Sequence, residues 1–335
     1  MALFLYLSLL KEEKIVCYQI DSITGDLTLQ YELPVSGEPS ILATDAERRT
    51  LYAAIRSTGQ LCSFRIDSAS GRLEHLHSID TGLEDPAYLS TDREGHYLIT
   101  PYYASGKVSV YRIGADGAAR EPLVSAIDTA PHAHGLAIDP SNRFIFVPHT
   151  CPGNAVWQLV LADGVLRPNS PPRVEFDHNV GPRHLHLHPH NGCAYGDNEQ
   201  DQSVTAYRFD SDTGTLAPFQ TLSTLPEDHT DGACARMEIH PSGRFLYAAN
   251  RGHDSLAGFR IDGESGALES IGHFPTASNP RSFHFDPEGH FLYAAGQSSD
   301  QLVSYRIDGE NGTLEPLQTY STGHVPWWVQ VVKPG

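Results

Sequence analysis

A short motif occurs seven times along the chain at a nearly constant period. Each copy runs from an aromatic residue into a polar turn, and the copies begin at Tyr18, Phe64, Tyr111, Trp157, Tyr207, Phe259 and Tyr305. The turn glycines follow at spacings of 46 to 52 residues, at Gly25, Gly71, Gly117, Gly164, Gly214, Gly266 and Gly312. Glycine supplies the positive φ that a tight hairpin turn needs. Such repetition is typical of chains built from copies of one small supersecondary unit.

A second motif alternates with the first and completes the repeat. It consists of an apolar strand, a turn of the Asp-Pro-x-Gly kind and an aromatic-rich strand, and its clearest copies begin at His134, Ala235 and Arg281. Each repeat therefore holds about four strands, which is the size of one propeller blade. We predict an all-β, seven-bladed β-propeller with four antiparallel strands per blade, as a single domain over residues 1–335. A pair of β-sandwiches would not explain the constant period.

The two ends of the chain each supply an incomplete repeat. The segment VPWWVQVV from Val325 reads as an inner strand without a following partner, and FLYLSLL from Phe4 reads as a second strand without a preceding one. Joined in one blade, they would close the ring and leave no open sheet edge. The opening segment also lacks the basic region and cleavage site of a signal peptide, so we interpret it as a strand.

Charge and cysteine content limit the partners and the compartment. The chain has 23 Lys and Arg against 41 Asp and Glu, a formal net charge of −18. This charge disfavours nucleic acid and anionic membrane surfaces as partners, because both need a basic face. Five cysteines without paired spacing are typical of reduced thiols, so we expect a cytoplasmic protein. The oligomeric state leaves no signal in the sequence.

Aligning the repeats predicts which residues surround one mouth of the central channel. The starts of the first strands form a ring of Ser40, Ala87, His134, Arg183, Ala235, Arg281 and Trp327. The ends of the second strands form a ring of Leu10, Arg56, Tyr103, Thr150, Glu199, Arg251 and Gln297. Several arginines at one mouth of an acidic protein indicate a site for an anionic ligand. The alternative is a purely structural rim of ion pairs, such as one between Arg183 and Glu199.

Several stretches resemble a known family. They include PHAHGLAIDP from Pro131, GPRHLHLHP from Gly181, DNEQDQSV from Asp197, HPSGRFLYAANRGHDS from His240 and GHVPWWVQVV from Gly323. The chain resembles the seven-bladed propeller lactonases, which include bacterial 6-phosphogluconolactonases and fungal 3-carboxy-cis,cis-muconate lactonising enzymes. The resemblance implies the catalytic residues His134, Arg183, Glu199 and Arg251, with Arg281 and Gln297 in substrate binding. We also expect His132, His184, Arg236 and Trp327 near the substrate, and Trp328 to point away by strand alternation.

The implied reaction is hydrolysis of a sugar lactone, most specifically 6-phospho-D-glucono-1,5-lactone. Either Glu199 or His134 would activate water as the base. Either Arg183 or Arg251 would hold the oxyanion, while Arg281 grips an anionic group. The partner is then a small anionic lactone or a related carboxylate. The alternatives are a cycloisomerase acting on a carboxymuconate and a propeller that serves only as a binding scaffold.

No cofactor or metal is required by this scheme. The run of His184, His186, His188 and His190 suggests a metal site, but neighbours two apart on one strand rarely converge on one ion. The repeat places His188 at a turn position that is Asp or His in other blades. We therefore predict no metal ligands among these histidines.

Overall fold

The computed structural model describes residues 2–335, which form seven four-stranded antiparallel sheets. The first ten strands are β1 (Leu3–Leu9), β2 (Lys14–Ile20), β3 (Leu27–Pro34), β4 (Pro39–Thr44), β5 (Thr50–Ile55), β6 (Leu61–Ile66), β7 (Leu73–Ile79), β8 (Ser90–Thr91), β9 (Tyr97–Pro101) and β10 (Lys107–Ile113). The next nine are β11 (Ala119–Asp128), β12 (Ala137–Ile138), β13 (Phe144–His149), β14 (Ala155–Ala162), β15 (Val165–Glu175), β16 (Pro182–Leu187), β17 (Cys193–Asn198), β18 (Ser203–Asp210) and β19 (Thr215–Ser223).

The remaining strands are β20 (Ala233–Ile239), β21 (Phe245–Arg251), β22 (Ser255–Ile261), β23 (Leu268–Pro275), β24 (Pro280–Phe285), β25 (Phe291–Gly296), β26 (Gln301–Ile307), β27 (Leu314–Ser321) and β28 (Pro326–Val332). Blades 1 to 6 take four consecutive strands each, from β4–β7 to β24–β27. Among residues 2–335 the one helical element is a 3₁₀ turn at Leu10–Glu12. None of the described segments is a helix with the length and apolar character to span a bilayer.

Blade 7 is assembled from both ends of the chain, as the sequence predicts. Its strand order is β28-β1-β2-β3, and β28 pairs with β1 in antiparallel register, with Leu5 opposite Val331 and Leu7 opposite Val329. Every residue of β1 is buried. The ring therefore closes through main-chain hydrogen bonds between segments that are far apart in sequence.

The repeated turn glycines join neighbouring blades. All seven adopt positive φ, between 66° and 87°. In five blades a buried tyrosine of the second strand donates its hydroxyl to the turn glycine carbonyl of the next blade, at 2.6 to 2.9 Å: Tyr6 to Gly71, Tyr52 to Gly117, Tyr195 to Gly266, Tyr247 to Gly312 and Tyr293 to Gly25. A buried tyrosine needs such a partner for its hydroxyl. The sequence period thus encodes both the turn and the contact between blades.

Candidate active site

One cavity lies at the channel mouth where the two predicted rings meet. It encloses about 760 Å³ of empty space that is partly open to solvent. Its walls are Ser40, Ile41, Arg56, Asp85, Pro86, Ala87, Tyr103, His134, Arg183, Glu199, Arg251, Arg281, Trp327 and Trp328. The structure thus brings together His134, Arg183, Glu199, Arg251 and Arg281, which are members of the two rings and are the residues to which the resemblance assigns catalysis and substrate binding.

Bulges in the innermost strands turn key side chains toward this cavity. In β16 the pairing with β17 shifts between Pro182 and His184, which leaves Arg183 unpaired in the ladder. The same shift in β24 leaves Arg281 unpaired, because Pro280 and Ser282 oppose consecutive residues of β25. A bulge inserts one residue and re-aims its side chain. Local backbone irregularity therefore places both guanidinium groups in the cavity wall.

A bulge also explains why one prediction about the closing strand is wrong. Strict alternation predicts that Trp328 points away from Trp327, but both indoles line the cavity. Leu9 pairs with Pro326 and Ser8 pairs with Trp328, so Trp327 is the extra residue between them. Period-two alternation fails at a bulge. The closing blade therefore gives the cavity two aromatic walls.

Glu199 is held by two arginines. Arg183 Nε donates to Glu199 Oε2 at 3.0 Å, and Arg251 Nη2 donates to Glu199 Oε1 at 2.8 Å. Burial raises the pKa of Glu199, but the adjacent charges of Arg183 and Arg251 outweigh it and hold this pKa below its usual value. Glu199 is therefore an anion at neutral pH, and both of its oxygens already accept charge-assisted hydrogen bonds.

His134 lies in the same wall as a neutral imidazole. It is 8% exposed, and its Nδ1 has no hydrogen-bond partner among the described residues. Burial, and then the positive charge of Arg183, lowers the pKa of His134 well below its usual value. Its ring lies edge-on to Tyr103 and to His184, with centroid distances of 5.7 and 5.2 Å. The imidazole can therefore accept a proton without first losing one.

A buried pair supports Arg183 from behind. Asp197 and His184 are 0% and 2% exposed, and the His184 backbone N–H donates to Asp197 Oδ1 at 2.8 Å. Arg183 Nη1 lies 3.2 Å from His184 Nδ1, which is 3.5 Å from Asp197 Oδ1. Burial raises the pKa of Asp197 to about 7, although the charge of Arg183 opposes this change. Sequence reasoning missed Asp197, although it lies two residues before Glu199.

Arg281 carries the least compensated charge of the site. No carboxylate in residues 2–335 lies within ion-pair distance of it, and its guanidinium carbon lies 3.5 Å from the ring centroid of Trp327. Burial and the neighbouring guanidinium groups lower the pKa of Arg281. With Arg56 and Asp85, the cavity wall holds four guanidinium groups against two carboxylates. Its net charge is +2 when all are ionised, opposite in sign to the whole chain.

Four of the residues expected near the substrate do not line the cavity. His132 stacks on Tyr103 at 4.3 Å, with its Nδ1 directed at the Cys151 carbonyl, so Tyr103 separates it from the cavity. Gln297 stays at the rim, where its backbone N–H donates to the Asn279 carbonyl. Gln297 belongs to the second-strand ring and His132 to the stretch that begins at Pro131, but neither side chain is part of the cavity wall.

The other two lie one level deeper in the channel. His184 follows the bulged Arg183 and is buried against Asp197 and Tyr88. Arg236 lies within a bulge of β20, is 3% exposed and donates from Nε to Glu238 Oε1 at 2.7 Å. Its guanidinium stacks on Trp328 at 3.9 Å. The alignment gives angular position around the channel but not depth.

The histidine run does not converge. His184 lies behind the site, His186 Nε2 is 3.9 Å from Glu238 Oε2, and His190 is exposed. His188 occupies the expected turn, where its Nε2 donates to the Gly243 carbonyl at 2.7 Å and its Nδ1 accepts two backbone N–H groups. Within residues 2–335 the one cluster with metal-ligand spacing is Asp92, Glu94 and His96. Asp92 there caps a turn.

Comparisons with known proteins agree with the fold. The family model of the 7-bladed β-propeller lactonases matches residues 4–331. The chain is 34% identical over 154 residues to a 6-phosphogluconolactonase of Pectobacterium carotovorum subsp. carotovorum, a match that covers 46% of each chain. It is 37% identical over 128 residues to a 6-phosphogluconolactonase of Bacillus subtilis, covering 38% of this chain and 36% of that one.

These curated matches span about half the length of the relatives or less. A solved structure extends the comparison to the complete ring. The periplasmic gluconolactonase PpgL of Pseudomonas aeruginosa superposes with a TM-score of 0.92 over 100% of both chains, at 26% sequence identity. Since the family model covers nearly all of the sequence, the chain belongs to the seven-bladed β-propeller lactonase family.

Proposed function

We propose that this protein hydrolyses a sugar lactone, with 6-phospho-D-glucono-1,5-lactone as the preferred substrate. The observation that carries the proposal is the cavity wall, which holds four guanidinium groups together with the anion Glu199 and the neutral His134. A cationic cavity of this kind favours a substrate that carries negative charge. The relatives named 6-phosphogluconolactonase and gluconolactonase support the same class of substrate.

The arginines supply the electrostatic part of the reaction. Attack of water on the lactone carbonyl places negative charge on the carbonyl oxygen in the transition state. Arg251 bonds Glu199 and the Cys234 carbonyl through Nη2, which leaves its Nη1 without a hydrogen bond to the described residues. One donor aimed at a developing oxyanion contributes roughly 10²–10³-fold to the rate. We assign that role to Arg251, with Arg183 as the second cation beside it.

His134 is the stronger candidate for the base. Both oxygens of Glu199 already accept charge-assisted hydrogen bonds from arginines, so protonation of this carboxylate would break one of them. The imidazole of His134 is neutral and borders the cavity. In this assignment Glu199 is a positioning residue that fixes Arg183 and Arg251. General-base help of this kind contributes roughly 10²–10⁴-fold.

The steps balance without a further reactant. The water oxygen bonds to the lactone carbonyl carbon while one water proton moves to His134. The tetrahedral intermediate then collapses, the bond from this carbon to the ring oxygen breaks, and His134 returns the proton to that oxygen. The product is the open-chain hydroxy acid, and His134 is neutral again.

A substrate panel tests the proposal. Purified protein is mixed with 6-phosphogluconolactone, with glucono-1,5-lactone and with 3-carboxy-cis,cis-muconate, and acid release or loss of absorbance is followed after subtracting the spontaneous rate. We expect fastest turnover of 6-phosphogluconolactone. The variant His134→Ala should lose about 10²–10⁴-fold in kcat, and added imidazole should restore part of it. If only the muconate is turned over, the reaction is ring closure and not lactone hydrolysis. If none of the three compounds is turned over, the protein is a binding scaffold.

A further inference from the structure

The wall of the cavity opposite the catalytic groups has its own charged pair. Arg56 follows β5 in blade 1, and Asp85 precedes β8 in blade 2, so both lie across the seven-bladed ring from Arg183 and Glu199 in blade 4. Arg56 Nε lies 2.8 Å from Asp85 Oδ1, and Arg56 Nη2 donates to Asp85 Oδ2 at 3.2 Å. The two groups form a fork-like, bidentate ion pair that remains partly exposed to the cavity.

Trp327 links this pair to the uncompensated Arg281. The guanidinium carbons of Arg56 and Arg281 lie 5.1 and 3.5 Å from the centroid of its indole ring. Two cations therefore contact one aromatic side chain, and within residues 2–335 only Arg56 of the two has a carboxylate partner. Stacking fixes the plane of each guanidinium without using its N–H groups. Arg56 gives two of these donors to Asp85, whereas those of Arg281 face no carboxylate within residues 2–335.

The same side of the cavity also has room for part of a ligand. The mouth positions of blades 1 and 2 are the small residues Ser40 and Ala87, where blades 3, 4, 6 and 7 carry large side chains. The innermost strand of blade 2 begins only at Ser90, so a loop with Pro86 forms the wall above it. Asp85 adopts φ of 59° in this loop, a left-handed conformation that residues other than glycine rarely adopt. Such conformations persist where the surrounding structure requires them, often at functional sites.

We propose that Arg56 and Arg281 form a second anion subsite, which binds a phosphate monoester at the end of the substrate remote from the lactone carbonyl. Asp85 is the counterion that holds Arg56 when the subsite is empty and gives up part of that contact when phosphate enters. The inference rests on the proposed lactonase function and specifies which end of its substrate this wall recognises. A phosphate monoester carries about −1.5 to −2 charges at pH 7, which matches the +2 of the cavity wall.

The subsite predicts opposite effects on phosphate binding for substitutions of Arg56 and of its counterion Asp85. Binding of 6-phosphogluconate and of gluconate, the two open-chain products, is measured by titration calorimetry. Arg56→Gln should weaken the affinity for 6-phosphogluconate by about 10-fold or more, because a charged hydrogen bond to phosphate is lost. The affinity for gluconate, which has no phosphate, should change by less than about 2-fold. Asp85→Asn should raise the affinity for 6-phosphogluconate several-fold, because Arg56 keeps its charge while the carboxylate that competes with phosphate for it is removed.

Matched variants separate recognition from folding. Arg65→Gln removes another arginine of blade 1, one that pairs with Glu74 on the outside of the ring, and should leave both affinities unchanged. Arg56→Lys retains the charge and should retain most of the preference for phosphate even if Arg56→Gln lowers the melting temperature. Equal losses for both ligands, or weaker 6-phosphogluconate binding in Asp85→Asn, would overturn the subsite.

The outcomes also distinguish this inference from the function on which it rests. If 6-phosphogluconolactone is hydrolysed and Arg56→Gln leaves its kcat/KM relative to glucono-1,5-lactone unchanged, the subsite is wrong and the lactonase stands. If 6-phosphogluconate binding depends on Arg56 but no lactone is hydrolysed, the subsite stands and the reaction is wrong.

Discussion

Two clusters of arginine and glutamate lie one above the other in the channel, and they differ in how their charges are balanced. At the mouth, Glu199 accepts from both Arg183 and Arg251, and no carboxylate of residues 2–335 pairs with Arg281. One level deeper, Arg236 pairs with Glu238, and no second arginine of residues 2–335 shares that carboxylate.

The deeper arginine is also fully bonded. Arg236 Nη1 donates to Ser282 Oγ at 2.9 Å and to the Val329 carbonyl at 3.2 Å, and Trp328 covers the guanidinium face. Residue type therefore does not separate a site from a structural ion pair. The feature that marks a site is the presence of hydrogen-bond donors that have no partner and face open space, because a ligand can accept hydrogen bonds from them.

The largest contrast should come from removing the carboxylate at each level. Glu199→Gln should lower kcat by roughly 10³-fold, because Arg183 and Arg251 lose the anion that fixes them and the oxyanion loses an ordered partner. Glu238→Gln should change kcat by less than about 3-fold in the protein that remains folded. Steady-state rates on the same lactone compare the two, and a similar loss in both variants would contradict the separation of the layers.

The free energy of unfolding should respond to the same two substitutions in the reverse order, with the larger loss in Glu238→Gln. Glu238→Gln leaves a buried guanidinium without its counterion and should cost about 3 kcal/mol in the free energy of unfolding. Burial raises the pKa of Glu238, but Arg236 outweighs this and lowers it to about 2. The ion pair therefore stabilises the fold fully above the pKa of an unfolded glutamate, and this contribution disappears as the pH falls from about 4.5 to about 2. Denaturant unfolding at pH 7 and pH 3 measures both effects, and an equal cost at the two values would contradict the assignment.

Asp197, which lies between the two levels, should respond to pH in the opposite direction. Its pKa is raised to about 7, so the folded state holds a proton that the unfolded chain releases near pH 4. Wild-type stability then falls as the pH rises from about 4 to about 7. Asp197→Asn removes this dependence, and its stability relative to wild type should improve by about 2 kcal/mol between pH 5 and pH 8. Unfolding curves at the two pH values provide the test, and parallel curves would show that Asp197 is ionised throughout.

The smallest effect is expected in the pH profile of catalysis. His134 and Glu199 both have lowered pKa values, so neither titrates between pH 6.5 and pH 8. After the spontaneous rate is subtracted, kcat/KM for a neutral lactone should change less than about 2-fold over that range. A base with the usual histidine pKa would lose about half its activity at pH 6.5. An inflection near pH 7 that persists in Asp197→Asn would contradict the burial of His134 deduced from the structure.

Much of the fold and part of the site follow from the sequence. The turn glycines and the Asp-Pro-x-Gly turns set the number of blades, because each reports a local hairpin with fixed backbone requirements. The incomplete repeats at the two ends predict the shared blade. Alignment of the repeats places His134, Arg183, Glu199, Arg251 and Arg281 in the two rings around one channel mouth, and all five line the cavity.

The remaining features depend on register and depth. The bulges that turn Arg183, Arg281 and both tryptophans toward the cavity are shifts between paired strands, and no single-strand pattern records them. Whether a charged residue lies at the mouth, like Arg281, or below it, like Arg236, depends on packing against neighbouring blades. The pairing of Arg56 with Asp85 joins two different blades for the same reason.

The sequence by itself determined a closed ring of seven similar sheets and the angular order of its charged residues, since both follow from local turn chemistry repeated at a fixed period. Only the tertiary structure decided which of those charges are left without partners in open space. That outcome depends on contacts between residues that are 16 to 52 positions apart in the sequence, and burial sets the cost of each unpaired group.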